Sequence, residues 1–111
     1  AEVIINENVE MTLVMVKQYH EFLLSHLVSP FSLLINKVNT YTYDFDAQIN
    51  LATLKEIHVM AVVAYTRTTK ISTEYLLTSV PREKDWNLRI FSNRDEALNW
   101  LKMEQAILQP I

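Results

Sequence analysis

The chain contains no glycine and no cysteine. Average glycine usage of about 7% would supply roughly eight glycines in a chain of 111 residues. Phosphate-binding loops, dinucleotide-binding turns and the nucleophile elbow of serine hydrolases all use glycine where the backbone turns sharply or approaches a ligand. Without cysteine there are no disulfides, thiolate metal sites or thiol nucleophiles. These absences argue against an enzyme, and no residue set predicts a cofactor or a metal site.

Charge and hydropathy exclude two further classes of partner. The chain has 10 basic and 13 acidic residues, and they form no basic stripe that could neutralise the phosphates of a nucleic acid. The longest apolar runs, such as Met60 to Ala64, are far shorter than the roughly 20 residues that cross a bilayer. We therefore expect no nucleic-acid partner and no membrane span. The lack of cysteine fits a reducing compartment, and we expect a cytoplasmic protein.

Length and apolar content predict one α/β domain over residues 1–111. Strands are expected at residues 2–5, 31–35, 59–65 and 87–91. Residues 31–35 and 59–65 are nearly continuous apolar runs, which are typical of strands covered on both faces. We expect these two strands to be parallel neighbours in a mixed or mostly parallel sheet of four to five strands with packed helices. The chain begins almost directly in a strand, which leaves open that an N-terminal strand of the sheet is missing.

Helix signals follow each predicted strand. Apolar spacing predicts a helix over residues 12–27, with Thr12 as its N-cap. Asp44 is the expected N-cap of a second helix that runs to about residue 57, and residues 40–43 are expected to form a loop. Two capping-box spacings, Ser92 with Asp95 and Asn93 with Glu96, predict the start of the last helix.

The third helix is expected to begin between residues 68 and 73. Pro81 is expected to end it. Its buried face is predicted to consist of Tyr75, Leu76, Leu77 and Val80. Asparagine should occupy any left-handed turn position in a chain without glycine, and the predicted turns are at Asn6, Asn39 and Asn87.

The segment from Leu88 to Leu101 consists of a predicted strand, an aromatic residue, acidic residues and then alanine, leucine, tryptophan and leucine. It resembles the closing segment of the SpoIIAA-like family, which is related to STAS and Sec14 domains. The apolar run over residues 57–64 also resembles a strand of that family. The resemblance implies a four- or five-stranded sheet, and a role in protein interaction, in regulation or in the handling of lipid-like ligands.

Anti-anti-sigma members of that family carry a phosphorylatable serine in an aspartate-serine-glycine turn. The matching region here is residues 39–44, which contains neither serine nor glycine. Thr40 and Thr42 are the candidate phosphate acceptors in its place, because a helix N-terminus tolerates negative charge.

A candidate ligand site follows from the expected sheet. The carboxyl ends of parallel strands meet at one edge, and the segments 40–44 and 66–70 would both leave the sheet there. The candidate residues are Thr40, Tyr41, Tyr43, Arg67 and Lys70. Aromatic rings beside two cations suit a small anion, or an amphipathic molecule with an anionic head group. Solvated loops with ordinary surface charges are the alternative.

The remaining candidates favour structural roles. His20 and His26 are six residues apart and fall on different helix faces, and His58 stands alone, so the histidines predict no metal site. Asp44 and Asp46 are explained by helix capping and by the helix dipole. Trp86 and Trp100 are expected to be packing residues.

Three hypotheses for function remain open at this point. The first is a non-enzymatic regulatory or protein-interaction module with an unknown protein partner. The second is the binding or sensing of a small amphipathic or anionic ligand, including lipid-like molecules. The third and weakest is an enzyme of unknown class. Exposed aromatics and the apolar tail at residues 106–108 also predict a homodimer.

Overall fold

A computed structural model gives the fold of this chain and describes residues 1–79 and 87–108. Its elements in chain order are β1 (Glu2–Val3), β2 (Glu10–Met11), α1 (Leu13–His26), β3 (Phe31–Lys37), β4 (Thr42–Tyr43), α2 (Phe45–Asn50), β5 (Ile57–Ala64), α3 (Arg67–Ser79), β6 (Leu88–Phe91) and α4 (Arg94–Leu108). Val80, Pro81 and Trp86, on which sequence-based predictions were made, lie outside the described residues.

Four strands form a parallel sheet in the order β1-β3-β5-β6. Leu34 lies opposite Ala61, and Ile35 lies opposite Val62. The α/β class, the parallel sheet and the central, adjacent positions of β3 and β5 are therefore confirmed. Connections through helices are what parallel neighbours require, because a short hairpin cannot join them.

A second, two-stranded parallel ladder pairs β2 with β4. Met11 lies opposite Tyr43 in this ladder. The prediction that residues 40–43 form a loop is wrong for Thr42 and Tyr43. Their β-branched and aromatic side chains favour extended backbone, and the pairing partner comes from a distant segment that local sequence does not indicate.

The two faces of the sheet are covered by different helices. Leu33 and Met60 point to the face that is packed by α1 and by the segment after α2, as shown by their cluster with Leu23 and Ala52. The opposite face is covered by α4 in a second cluster. Its buried members are Leu34, Val59, Ala61, Val63, Ala97 and Leu101. Strands buried on both faces explain why the sequences of β3 and β5 are nearly continuous apolar runs.

Helix starts follow the capping chemistry of the sequence. The Thr12 hydroxyl accepts a hydrogen bond from the Met15 N–H at 3.3 Å, and the Asp44 carboxylate accepts one from the Ala47 N–H at 2.8 Å. Both predicted N-caps are confirmed. At α4 the cap is Asn93, whose side-chain oxygen accepts hydrogen bonds from two backbone N–H groups of the first turn.

Two helix boundaries differ from the prediction. Helix α2 ends at Asn50, and by residue 57 the chain has already entered β5, so the predicted extension of α2 to residue 57 is wrong. Helix α3 begins at Arg67, because the Thr66 hydroxyl accepts a hydrogen bond from the Thr69 N–H at 3.1 Å. That start lies one residue before the predicted window.

The buried face of α3 also differs from the prediction. Leu76 is buried as predicted, but Tyr75 is 58% exposed, and Thr73, which was not predicted, is buried. The Thr73 hydroxyl can be buried because it donates a hydrogen bond to the Thr69 carbonyl at 2.9 Å. Counting apolar residues alone therefore identified Leu76 correctly, but it wrongly included Tyr75 and missed Thr73.

Left-handed backbone occurs at Asn8 (φ 63°) and Ala52 (φ 55°) among the described residues. Asparagine does fill one such position, but Asn6 and Asn39 do not have this conformation. Asn39 instead donates a side-chain hydrogen bond to the Ile5 carbonyl at 3.0 Å. A left-handed alanine costs about 1–2 kcal/mol, so its surroundings must hold it in place.

His20 supplies one contact that holds Ala52. Its Nε2 accepts a hydrogen bond from the Ala52 N–H at 3.0 Å, which joins α1 to the segment after α2. Burial lowers the pKa of His20 below its ordinary value of 6.5. The imidazole is therefore neutral at pH 7 and able to accept this hydrogen bond, which is a structural role, as expected from the sequence.

We expect His20→Phe to lower the free energy of unfolding by about 1–2 kcal/mol, because it leaves the buried Ala52 N–H without an acceptor. His20→Gln, the matched control, can keep an acceptor near the Nε2 position. Because the native pKa lies below the unfolded value, the unfolded chain binds more protons as pH falls below 6.5, and the wild type loses stability there. Urea unfolding at pH 7.5 and 5.5 tests this; equal stability of His20→Phe and the wild type at pH 7.5 would contradict it.

Across residues 1–79 and 87–108, none of the helices has the length and apolar character to cross a membrane.

Candidate functional site

Lys37 is the last residue of β3, and it lies beside two tyrosines at the carboxyl edge of the sheet. Its amine is 5.5 Å from the ring centroid of Tyr41 and 5.9 Å from that of Tyr43. The two rings pack edge to face, with centroids 5.5 Å apart. An ammonium group at these distances is attracted to the faces of the rings.

The backbone explains why these side chains meet. In a strand, alternate residues share a face, so Lys37 follows Leu33 and Ile35 on the face that carries α1. Pairing of Met11 with Tyr43 brings β4 towards this face. The site is therefore assembled by segments that are far apart in sequence.

Burial changes the acid-base properties of this cluster. It lowers the pKa of Lys37 from 10.5 to about 8. It raises the pKa values of Tyr19, Tyr41 and Tyr43 above their ordinary value of 10. At neutral pH the lysine is mostly charged and the phenols are protonated, so the cluster offers one cation and several hydrogen-bond donors.

Within residues 1–79 and 87–108, no carboxylate forms an ion pair with Lys37. In the same residues Arg94 pairs with Glu2, and the Nε2 of His58 lies 3.8 Å from the Glu104 carboxylate. The hydroxyl of Tyr43 donates a hydrogen bond to that of Tyr41 at 3.3 Å. The Lys37 ammonium thus lies beside the two tyrosine rings, and no ion pair with a described carboxylate balances its charge.

A cavity of about 60 Å³ lies next to Lys37, between the sheet and the helices on this face, and it is partly open to solvent. Its wall is almost entirely apolar. The lining residues are Val3, Ile5, Met11, Tyr19, Ile35, Lys37, Tyr43, Leu51, Ala52, Met60, Val62, Thr73, Leu76 and Leu88. Since one water needs about 15 Å³ by this measure, the space suits a short apolar group of a few atoms.

The predicted site residues are only partly brought together. Tyr41 and Tyr43 are in contact and Tyr43 lines the cavity. Arg67 and Lys70 belong to the first turn of α3 rather than to a loop. Neither lines the cavity, and Lys70 instead lines a separate groove of about 280 Å³ with Arg89. A binding role for Arg67 and Lys70 stays a prediction.

Thr40 and Thr42 are exposed. The backbone N–H of Thr40 donates to the Glu7 carboxylate at 3.0 Å, and the N–H of Thr42 donates to the Val9 carbonyl at 3.0 Å. Their phosphorylation stays a prediction, and a carboxylate beside Thr40 would repel a phosphate on that residue.

Lys37, the cation at the centre of the candidate site, was not among the residues predicted from the sequence. The available signal was its place at the end of an apolar strand, two residues after Ile35, which puts it on the covered face of the sheet. Its burial also requires β2 and β4, whose pairing could not be predicted from local residues.

Other polar groups have structural explanations. The Glu2 carboxylate accepts hydrogen bonds from Arg94 at 2.9 and 3.1 Å and from Asn36 at 2.8 Å. These contacts lower the pKa of Glu2 to about 2 and tie β1 to β3 and α4. In the described parts of the chain, no three His, Asp or Glu side chains form a group that could hold a metal ion.

Trp100 packs where the sequence analysis expected, with its ring 5.7 Å from that of Phe91 and partly buried against the α4 face of the sheet. The segment from Leu88 to Leu101, which carries the family resemblance, forms β6 and the first half of α4. Comparison with known proteins adds no support for that family: no family model, no curated protein and no solved structure matches the chain.

Proposed function

We propose that this chain binds a small amphipathic molecule with an anionic head group and a short apolar part. The observation that carries the proposal is the Lys37 ammonium beside an otherwise apolar cavity. A ligand of this kind would place its apolar part against Ile35, Met60 and Val62. Its anionic group would meet the amine of Lys37.

Three physical features favour this ligand class. An uncompensated ammonium in a poorly solvated place attracts an anion more strongly than an exposed lysine does. The protonated phenol of Tyr19, which lines the cavity, can donate a hydrogen bond to a carboxylate. Burial of an alkyl group against the apolar wall lowers the free energy of the complex, because apolar surface is removed from water. The small size of the cavity favours short chains over long lipids.

A regulatory or protein-interaction role, which the family resemblance implies, is compatible with this proposal. A small ligand that fills the cavity would stabilise the packing of α3 against the sheet, because Leu76 and Thr73 form part of the wall. Such a module could then sense the ligand and report it to a partner protein.

We expect hexanoate to bind with a dissociation constant of roughly 0.1–1 mM, the range for a ligand with few non-hydrogen atoms. Hexylamine has an alkyl chain of the same length and the opposite charge. It should bind at least tenfold more weakly, because its ammonium group would be repelled by that of Lys37. NMR titration of the folded chain measures both. Equal binding of the two ligands, or no binding of hexanoate, would overturn the proposal.

The size of the cavity can be tested in the same titration. Val62→Phe should place a ring in the cavity and weaken hexanoate binding, whereas Val14→Phe makes the same change at an exposed site on α1 and should leave binding unchanged. Decanoate should bind no more tightly than hexanoate if the apolar part is confined to this space.

A further inference from the structure

Lys37 differs from the other described lysines in its surroundings. Lys17, Lys55, Lys70 and Lys102 are exposed, whereas Lys37 is partly buried and lines the cavity. It is also the one lysine within residues 1–79 and 87–108 that lies beside tyrosine rings. An amine at the wall of an apolar cavity can do more than attract an anion, because its neutral form is a nucleophile.

We propose that Lys37 condenses reversibly with small aldehydes that enter the cavity and forms an imine with them. The inference rests on the proposed function in one respect, since the same cavity must admit the apolar part of the aldehyde. The chemical class of ligand is thereby extended from carboxylates to the corresponding carbonyl compounds.

The reaction balances without an oxidant or a reductant. The amine nitrogen adds to the carbonyl carbon, and a proton from the nitrogen is transferred to the carbonyl oxygen. The carbinolamine then loses its hydroxyl group with a proton as water, while the C=N bond forms. A phenol of the Tyr41 and Tyr43 pair can donate the proton to the departing hydroxyl and recover one from the nitrogen.

The surroundings favour each step. With a pKa of about 8, roughly one Lys37 amine in ten is neutral at pH 7, compared with about one in three thousand for an ordinary lysine. The raised pKa values of Tyr41 and Tyr43 mean that both phenols are protonated at pH 7, so each is present in the acid form that the dehydration step uses. The apolar wall limits the access of water, which slows hydrolysis of the imine.

Reductive trapping tests the inference. The whole chain is incubated at pH 7 with hexanal and sodium cyanoborohydride, and peptide mass spectrometry measures the rate of alkylation at each lysine. We expect Lys37 to be alkylated at least tenfold faster than Lys17, Lys55, Lys70 and Lys102. Excess hexanoate should slow the reaction at Lys37 alone.

Two variants and an independent binding measurement distinguish imine formation at Lys37 from the proposed binding of carboxylates. Val62→Phe should reduce the rate at Lys37 to that of the exposed lysines, while Val14→Phe should not. Alkylation of Lys37 at the same rate as the exposed lysines overturns the inference. Binding of hexanoate is measured independently by NMR titration. That titration tests the proposed function, whereas the trapping experiment tests only imine formation.

Discussion

Replacing Lys37 with methionine is expected to raise the free energy of unfolding by about 2 kcal/mol at pH 7. Burial lowers the lysine pKa from 10.5 to about 8, which corresponds to about 3 kcal/mol of preference for the neutral form. Removing the charge should therefore stabilise the native state by that amount. Loss of the contacts between the ammonium and the rings of Tyr41 and Tyr43 costs about 1 kcal/mol, which leaves the net gain stated above. Methionine has a similar length and fills the same space without the charge.

The gain should depend on pH in a defined direction. Between pH 8 and 10.5 the unfolded chain binds more protons at Lys37 than the native chain does, so wild-type stability rises with pH in this window. The advantage of Lys37→Met should therefore be complete at pH 7 and should shrink towards zero near pH 10.5. Tyrosine ionisation affects both proteins and cancels in the difference.

Urea unfolding of the wild type and the variant at pH 7 and pH 10 provides the measurement. Lys70→Met is the matched control, because Lys70 is exposed and its removal should change stability little at either pH. A Lys37→Met protein that is less stable than the wild type at pH 7 would show that the charge at this position is stabilising, contrary to our expectation.

A stability cost at Lys37 bears directly on function. Functional sites are among the places where residues that lower native stability are expected. An aliphatic side chain would complete the apolar face that Leu33 and Ile35 begin. The expected stability cost of a lysine at the end of this strand is consistent with the proposed ligand site.

Much of the scaffold could be predicted because its causes are local. The apolar runs in β3 and β5 indicate strands buried on both faces, and Thr12 and Asp44 are identified as caps by the position of a short polar side chain before a helix. The order of strands and helices then favours a mixed or mostly parallel sheet. These features together placed Tyr41 and Tyr43 at the correct edge.

The remaining features depend on contacts between distant segments. The end of α2 at Asn50 is followed by a left-handed alanine whose N–H is bonded to His20, 32 residues earlier. The burial of Lys37 requires the ladder between Met11 and Tyr43. The residues next to Ala52 and Lys37 in the sequence do not indicate these distant partners. For this reason the sequence-based prediction named the cations Arg67 and Lys70 on α3 and did not include Lys37 on β3.

The affinity for hexanoate is expected to fall about a hundredfold between pH 7 and pH 10. With a pKa of about 8, only about one Lys37 side chain in a hundred is charged at pH 10, whereas the carboxylate stays ionised over the whole range. The neighbouring phenols cannot cause this loss, because burial raises the pKa values of Tyr19 and Tyr43 above 10. NMR titration at several pH values gives the profile.

Three variants identify the group responsible for that profile. Lys37→Arg keeps a charge that does not titrate in this range, so its affinity should be nearly independent of pH. Lys37→Met should bind hexanoate weakly at every pH, and Lys70→Met should follow the wild type. If Lys37→Arg loses affinity with the wild-type midpoint, the titrating group is not Lys37, and an anion held by this lysine can no longer explain the binding. A flat profile for Lys37→Arg beside a steep one for the wild type leaves the Lys37 ammonium as the group that binds the carboxylate.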